Sequence, residues 1–255
     1  MLESFKNLSL SKKILVLLFL IIELVLFVLI QIPDQEYFSI FCFLSVGISW
    51  IFACINFKKS LHNILIIAGL FATLCADVFL VLFDPINQIM GMVFFNIAQI
   101  IYFVLIFSKA NSKKEKVIHL IVRACALVLM LIICWLVLKE KTDFLSMISI
   151  FYITNLVLNI VFSIVHERKV SLFSIGLILF LMCDLLVGFQ MAMDVYLNIS
   201  QNSLIYKIIH SEIKWAWVFY VPAQTLIALS LAFRKTNKEK QKNKHKEDDE
   251  NLSQT

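Results

Sequence analysis

Two aspartates stand inside apolar runs long enough to cross a bilayer, and each follows a glycine by eight residues: Gly69 leads to Asp77 and Gly176 leads to Asp184. An ionisable group at membrane depth costs at least about 2.5–3.5 kcal/mol on insertion scales, so it marks a functional site by default. Two close carboxyls titrate in separated steps and can supply one general acid and one general base. Such a pair suits a reaction in which a proton is delivered and a water is activated. Two other readings fit the same residues: hydrogen-bonding side chains that join helices, and the relay of a proton-coupled carrier.

Helical periodicity supplies these carboxyls with companions. Gly69, Thr73 and Asp77 share a face, with Ala72 and Ala76 beside them, and small residues there let a neighbouring backbone come close. The corresponding face later in the chain is Gly176, Phe180 and Asp184. Asn96, Gln99 and Tyr102 fall on one face by i, i+3 spacing, and Tyr220 and Gln224 by i, i+4. If these faces converge, the two carboxyls, these amides and the two phenols line one polar cavity. Glu23 is a third intramembrane carboxyl and either lines that cavity or joins helices; Asn155 and Asn159 form an i, i+4 pair suited to interhelical hydrogen bonds.

His62, His119 and His166 lie near helix ends, where interfacial water solvates them, and no two share metal-ligand spacing, so no metal or other cofactor is expected. No G-x-S-x-G, H-E-x-x-H or glycine-rich phosphate loop appears, and five glycines leave little room for one.

The elements that must hold these residues are spanning helices. The chain is 60% hydrophobic and 16% charged over 255 residues, far from soluble-domain composition. Apolar runs of spanning length occupy about 14–30, 37–57, 62–83, 86–108, 117–138, 144–165, 171–193 and 213–233. The expected fold is all-α, an eight-helix transmembrane bundle over 1–233 followed by a disordered charged tail over 234–255. No small-residue cleavage site follows Ile30, so the first run is expected to stay as an anchor. With the N-terminus inside, all but four of the 23 basic residues fall on the inner side, Arg123 among them; the exceptions are Lys139, Lys141, Lys207 and Lys214. Both termini are therefore expected in the cytoplasm, and the protein in a bacterial plasma membrane.

An offset of 107 residues carries Gly69 onto Gly176 and Asp77 onto Asp184, and an offset of 125 carries Gln99 onto Gln224. The added residues fit the polar segment between about 194 and 212. Two parallel four-helix repeats follow, about 14–108 and 117–233. The basic residues lack interleaved aromatics or a nucleic-acid motif, so membrane topology explains the net charge of +5 and no nucleic acid is expected. All six cysteines fall in apolar runs without C-x-x-C spacing and read as small buried packing residues.

At these same residues the chain resembles the lysoplasmalogenase (YhhN-like) family of eight-helix membrane proteins. The family pattern G-L-x-F-S-x-x-G-D is similar to Gly69-Leu70 through Thr73 to Asp77, with Ala72, Thr73 and Ala76 in place of Phe, Ser and Gly. Gly91, Phe94-Phe95, Ala98, Gln99 and Tyr102 resemble G-x-x-F-F-x-x-A-H-x-x-Y, with Gln99 where the family has histidine. Gly176, Phe180 and Asp184 resemble G-A-x-x-F-x-x-S-D, with Cys183 replacing serine, and Tyr220, Ala223, Gln224, Leu226 and Ile227 match Y-x-x-A-Q-x-L-I. The resemblance implies hydrolysis of the vinyl-ether bond of a lysoplasmalogen, giving a fatty aldehyde and a glycerophospho-headgroup compound. Under that implication Asp77 and Asp184 divide the acid and base roles. Gln99, Tyr102, Tyr220, Gln224, Asn96 and Glu23 become candidates for binding the lysophospholipid or another amphipathic lipid. A member that binds lipid without hydrolysing it, a proton-coupled carrier and a noncatalytic scaffold are the alternatives.

Overall fold

A computed structural model describes residues 8–33, 36–83, 85–110, 112–139, 142–167, 170–195 and 213–233, together with Phe5, Tyr206 and Ser211. Eight helices are long and apolar enough to cross a membrane, and there is no strand among the described residues. They are α1 (Leu10–Gln31), α2 (Phe38–Ile55), α3 (Leu61–Asp77, continued by a π-helical turn over Val78–Leu82), α4 (Gln88–Phe107), α5 (Lys113–Leu138), α6 (Phe144–Glu167), α7 (Leu172–Val195) and α8 (Trp215–Ala232). The expected tail over 234–255, and nearly all of the polar segment between α7 and α8, lie outside the described residues.

Every expected span is present, and the starts of α4, α5 and α6 are set by side-chain caps. Hydropathy follows the side chains, whereas a helix starts where a polar side chain can take up its free N–H groups. Ser112 accepts from the Glu115 N–H at 3.1 Å, so α5 begins on the lysines before its apolar run. Asn87 accepts from the Met90 N–H at 3.0 Å, and Asp143 from the Ser146 N–H at 2.8 Å.

The outward faces are apolar. Leu17, Leu18, Ile21 and Leu24 of α1, and Ile121, Val128, Leu129 and Ile132 of α5, are all exposed. Surfaces of that extent belong against lipid, and the chain is an integral membrane protein. Inside, Phe19 stacks on Phe52 at 4.0 Å to join α1 to α2, and Phe95, Tyr152, Phe180 and Tyr220 bring α4, α6, α7 and α8 together.

Neighbours recur between the halves. The most extensive packing is of α3 on α4 and of α7 on α8; α1 packs on α2 as α5 does on α6, and α4 packs on α6 as α8 does on α2. Glycine permits both close pairs. A Cβ on Gly69 would overlap the Tyr102 ring, and one on Gly176 would lie 2.7 Å from Ile227 Cγ1 and 2.9 Å from the Ala223 carbonyl oxygen.

Several expectations need correction. Cys42, Cys134 and Cys183 are buried, but Cys54 and Cys75 are only partly so and Cys125 is exposed. His119 is fully buried and stacks on Phe162 at 3.6 Å instead of resting in interfacial water. Arg123, counted with the cytoplasmic charges, is 6% exposed within α5. A helical arginine leans toward the N-terminus of its helix, and this one reaches Asn155 and Asn159 of α6 across the interface.

Candidate active site

Asp77 ends the regular part of α3, and the π-helical turn after it widens the helix where it packs on α2 and α4. Asp184 lies midway along α7. Both carboxyls face a cavity of about 730 Å³ enclosed by α3, α4, α6, α7 and α8. Leu80, Val81, Phe95, Ile153 and Trp217 make most of its wall apolar.

Each carboxyl receives a phenol. The Tyr220 hydroxyl donates to Asp77 Oδ2 at 2.7 Å, and the Tyr152 hydroxyl donates to Asp184 Oδ2 at 2.5 Å. Each bond crosses between helices, α8 to α3 and α6 to α7. The Phe180 ring stands between the two tyrosines, 6.4 Å from Tyr152 and 5.4 Å from Tyr220. Asp77 is 2% exposed, whereas Asp184 is only half-buried and is the more open of the two.

Of the residues singled out in the sequence, Asp77, Asp184 and Tyr220 meet in this cavity, while Gln99, Tyr102, Gln224, Asn96 and Glu23 do not line it. The expected chamber of carboxyls, amides and phenols is therefore corrected to two carboxyls with the phenols Tyr152 and Tyr220. On α4 the lining runs from Gln88 to Phe95 and on α8 from Ala216 to Tyr220, and Gln99 and Gln224, one turn further along, are fully buried. Tyr102 fills the notch at Gly69 and meets Phe173 edge-on at 5.3 Å. Gln99 Oε1 accepts from Asn159 Nδ2 at 3.0 Å, which joins it to the Arg123 network.

Asn96 Nδ2 donates to the carbonyls of Met92 and Ile148. Gln224 lies one turn past Tyr220 and is fully buried. Glu23 sits between α1 and α2, where Ser45 donates to Oε2 at 2.6 Å and Ser49 to Oε1 at 2.9 Å. It therefore joins helices, and the Asn155 and Asn159 pair does so as well.

Tyr152, Trp217 and Cys183 line the cavity without having been singled out for it. Tyr152 had a signal available. With Asn155 and Asn159 it forms an i, i+3, i+7 polar stripe on one face of α6. Among the described residues no group of three His, Cys, Asp or Glu side chains is placed to hold a metal ion.

This arrangement can hold an apolar chain beside two carboxyls that are each oriented by a single hydrogen bond. The comparisons with known proteins bear on the same helices. Neither the curated proteins nor the solved structures give a match. The model of the YhhN family does match, over residues 37–231, which run from the start of α2 to the end of α8, and the chain belongs to that family.

Proposed function

We propose that the protein hydrolyses the vinyl-ether bond of a lysoplasmalogen or a closely similar alkenyl lipid, with Asp77 and Asp184 as acid and base. The observation that carries this reading is that both carboxyls line one largely apolar cavity, each fixed by a tyrosine hydroxyl. Family membership supports the substrate class.

In the proposed reaction one aspartic acid gives its proton to the alkenyl carbon remote from oxygen, and the carbon beside the oxygen becomes part of an oxocarbenium ion. The other aspartate stabilises that cation and takes a proton from the water that attacks it. The resulting hemiacetal breaks its bond to the glycerol oxygen, which leaves with a proton. One water is consumed, and a fatty aldehyde and a glycerophospho-headgroup alcohol are formed. The apolar walls supply a berth for the chain. Tyr152 and Tyr220 set the directions of the two carboxyls.

Under the same reading both termini face the cytoplasm, because that orientation collects nearly all basic residues on the inner side. The two halves are taken as parallel repeats. Their support is the recurrence of helix neighbours and the equivalent glycine contacts, since Tyr102 and Ile227 are related by the offset that relates Gln99 to Gln224.

The test is incubation of purified protein with a lysoplasmalogen and with an acyl lysolipid of the same headgroup. Aldehyde from the first and no fatty acid from the second is the expected result. Fatty acid from the second, or no aldehyde from the first, overturns the proposal.

A further inference from the structure

Four of the five glycines have a neighbour against them. A Cβ would overlap Tyr102 at Gly69 and the Leu80 side chain at Gly91, would crowd the backbone of α8 at Gly176, and would meet Leu74 Cδ1 at 3.9 Å at Gly47. At Gly188 it would meet nothing within 4 Å. No described glycine has a positive φ, so the backbone does not require glycine there either. A glycine inside a helix costs about 1 kcal/mol relative to alanine. At Gly188 neither close packing nor backbone conformation accounts for that cost.

Gly188 is exposed and borders the cavity. It lines the same chamber as Asp184 and follows it by four residues, so it lies about one helical turn away on the same face. The flanking lining positions of α7, Leu185, Val187, Phe189 and Met191, all carry large apolar side chains. Gly188 is thus a notch in an apolar wall, next to the carboxyl that is the more open to the cavity.

We propose that Gly188 is a specificity-determining residue: its missing side chain holds open the passage along which a long hydrocarbon chain lies as its ether end reaches Asp184. Which chain is cleaved rests on the function proposed above; the claim that the notch admits a long chain does not. The side chain added in Gly188→Leu projects into that passage and excludes roughly two methylenes of a bound chain. A short chain does not need the notch.

The experiment compares wild type, Gly188→Ala and Gly188→Leu, with two readouts. The first is kcat/KM for a hexadecenyl and a butenyl lysolipid ether. Gly188→Leu is expected to lower the value for the long chain by about tenfold, from the lost methylene burial, and to change the short-chain value by less than about threefold, with Gly188→Ala in between. The second readout is binding alone. A lysolipid brominated along its acyl chain quenches the fluorescence of Trp217, which lines the cavity and is isolated by difference from Trp217→Phe. Half-quenching is expected to need about tenfold more lipid in Gly188→Leu.

Equal loss for both chain lengths, or unchanged quenching in Gly188→Leu, overturns the proposal. Gly188→Ala guards against misfolding, since alanine improves helix propensity and meets open space. A wild type that is quenched but releases no aldehyde refutes the hydrolase reading and leaves the quenching arm to decide on Gly188.

Discussion

Replacing Tyr220 by phenylalanine removes one oxygen and keeps the ring where Trp217 meets it edge-on at 5.2 Å and Phe180 packs on it at 5.4 Å. The loss is the hydroxyl that donates to Asp77 Oδ2 at 2.7 Å, in a place where donor and acceptor are both almost wholly buried. A bond to an ionised acceptor contributes roughly 1.5–3 kcal/mol and one to a neutral acceptor roughly 0.5–1.5 kcal/mol. At about 1.4 kcal/mol per factor of ten, the rate should fall roughly 10- to 150-fold if Asp77 acts as the carboxylate, and roughly 2- to 10-fold if it acts as the acid. Tyr152→Phe makes the same change at Asp184, whose Oδ2 accepts at 2.5 Å. The two variants should therefore differ, and the larger loss identifies the base. The assay is the initial rate of aldehyde release from lysoplasmalogen in mixed micelles across a pH series, where each variant should displace one limb of a bell-shaped profile and leave the other. Wild-type rates for both variants at every pH would refute the idea that these phenols orient the reacting groups.

Further expectations concern the frame around the site. Gly176→Ala sets a Cβ against the backbone of α8, 2.9 Å from the Ala223 carbonyl oxygen, and should cost about 1–3 kcal/mol, whereas the three atoms nearest a Cβ on Gly91 all belong to the Leu80 side chain, which can turn aside, so Gly91→Ala should cost less. Thermal unfolding in detergent orders the two, and the reverse order contradicts the packing described. Arg123→Met keeps an apolar stem but takes the donors from Asn155 Oδ1 and Asn159 Oδ1, at about 1–3 kcal/mol for each buried oxygen left without one. An unfolding midpoint equal to wild type would show that the network does not hold α5 to α6.

Asp143 caps α6, and its carboxyl is held below the usual carboxylate range, first by the Ser146 hydroxyl and then by the Ser146 N–H. A depressed folded value means the contribution is present above the unfolded pKa of about 3.9 and is lost as pH falls through the folded one. The Ser146 amide resonance should hold steady above pH of about 4 and move only below it. Movement at higher pH would contradict the cap.

The eight spans are legible because each is an apolar run bounded by charge, and the carboxyls are legible because Asp77 and Asp184 interrupt such runs. Tyr220 is legible from its i, i+4 spacing with Gln224, but which phenol meets which carboxyl is harder to read. Tyr152 is 32 residues from Asp184, and Tyr220 is 143 residues from Asp77, so neither bond leaves a periodic signal. Shared helix faces place Gln99, Tyr102 and Gln224 at the cavity. A helical wheel gives direction around an axis but not the depth at which packing closes a chamber, and these three lie past that depth. Arg123 shows the complementary error: counting basic residues for topology treats each as solvated, although Asn155 and Asn159 already mark a polar stripe that can receive one.

The central claim is that two carboxyls in one cavity serve one reaction, and aldehyde release from lysoplasmalogen by purified wild type, Asp77→Asn and Asp184→Asn tests it most directly. Asparagine keeps the size of each side chain and can still accept from its tyrosine, so folding should survive while proton transfer does not. Near-complete loss of aldehyde in both variants, with unfolding temperatures close to wild type, is the predicted result. Undiminished aldehyde from either variant would contradict it.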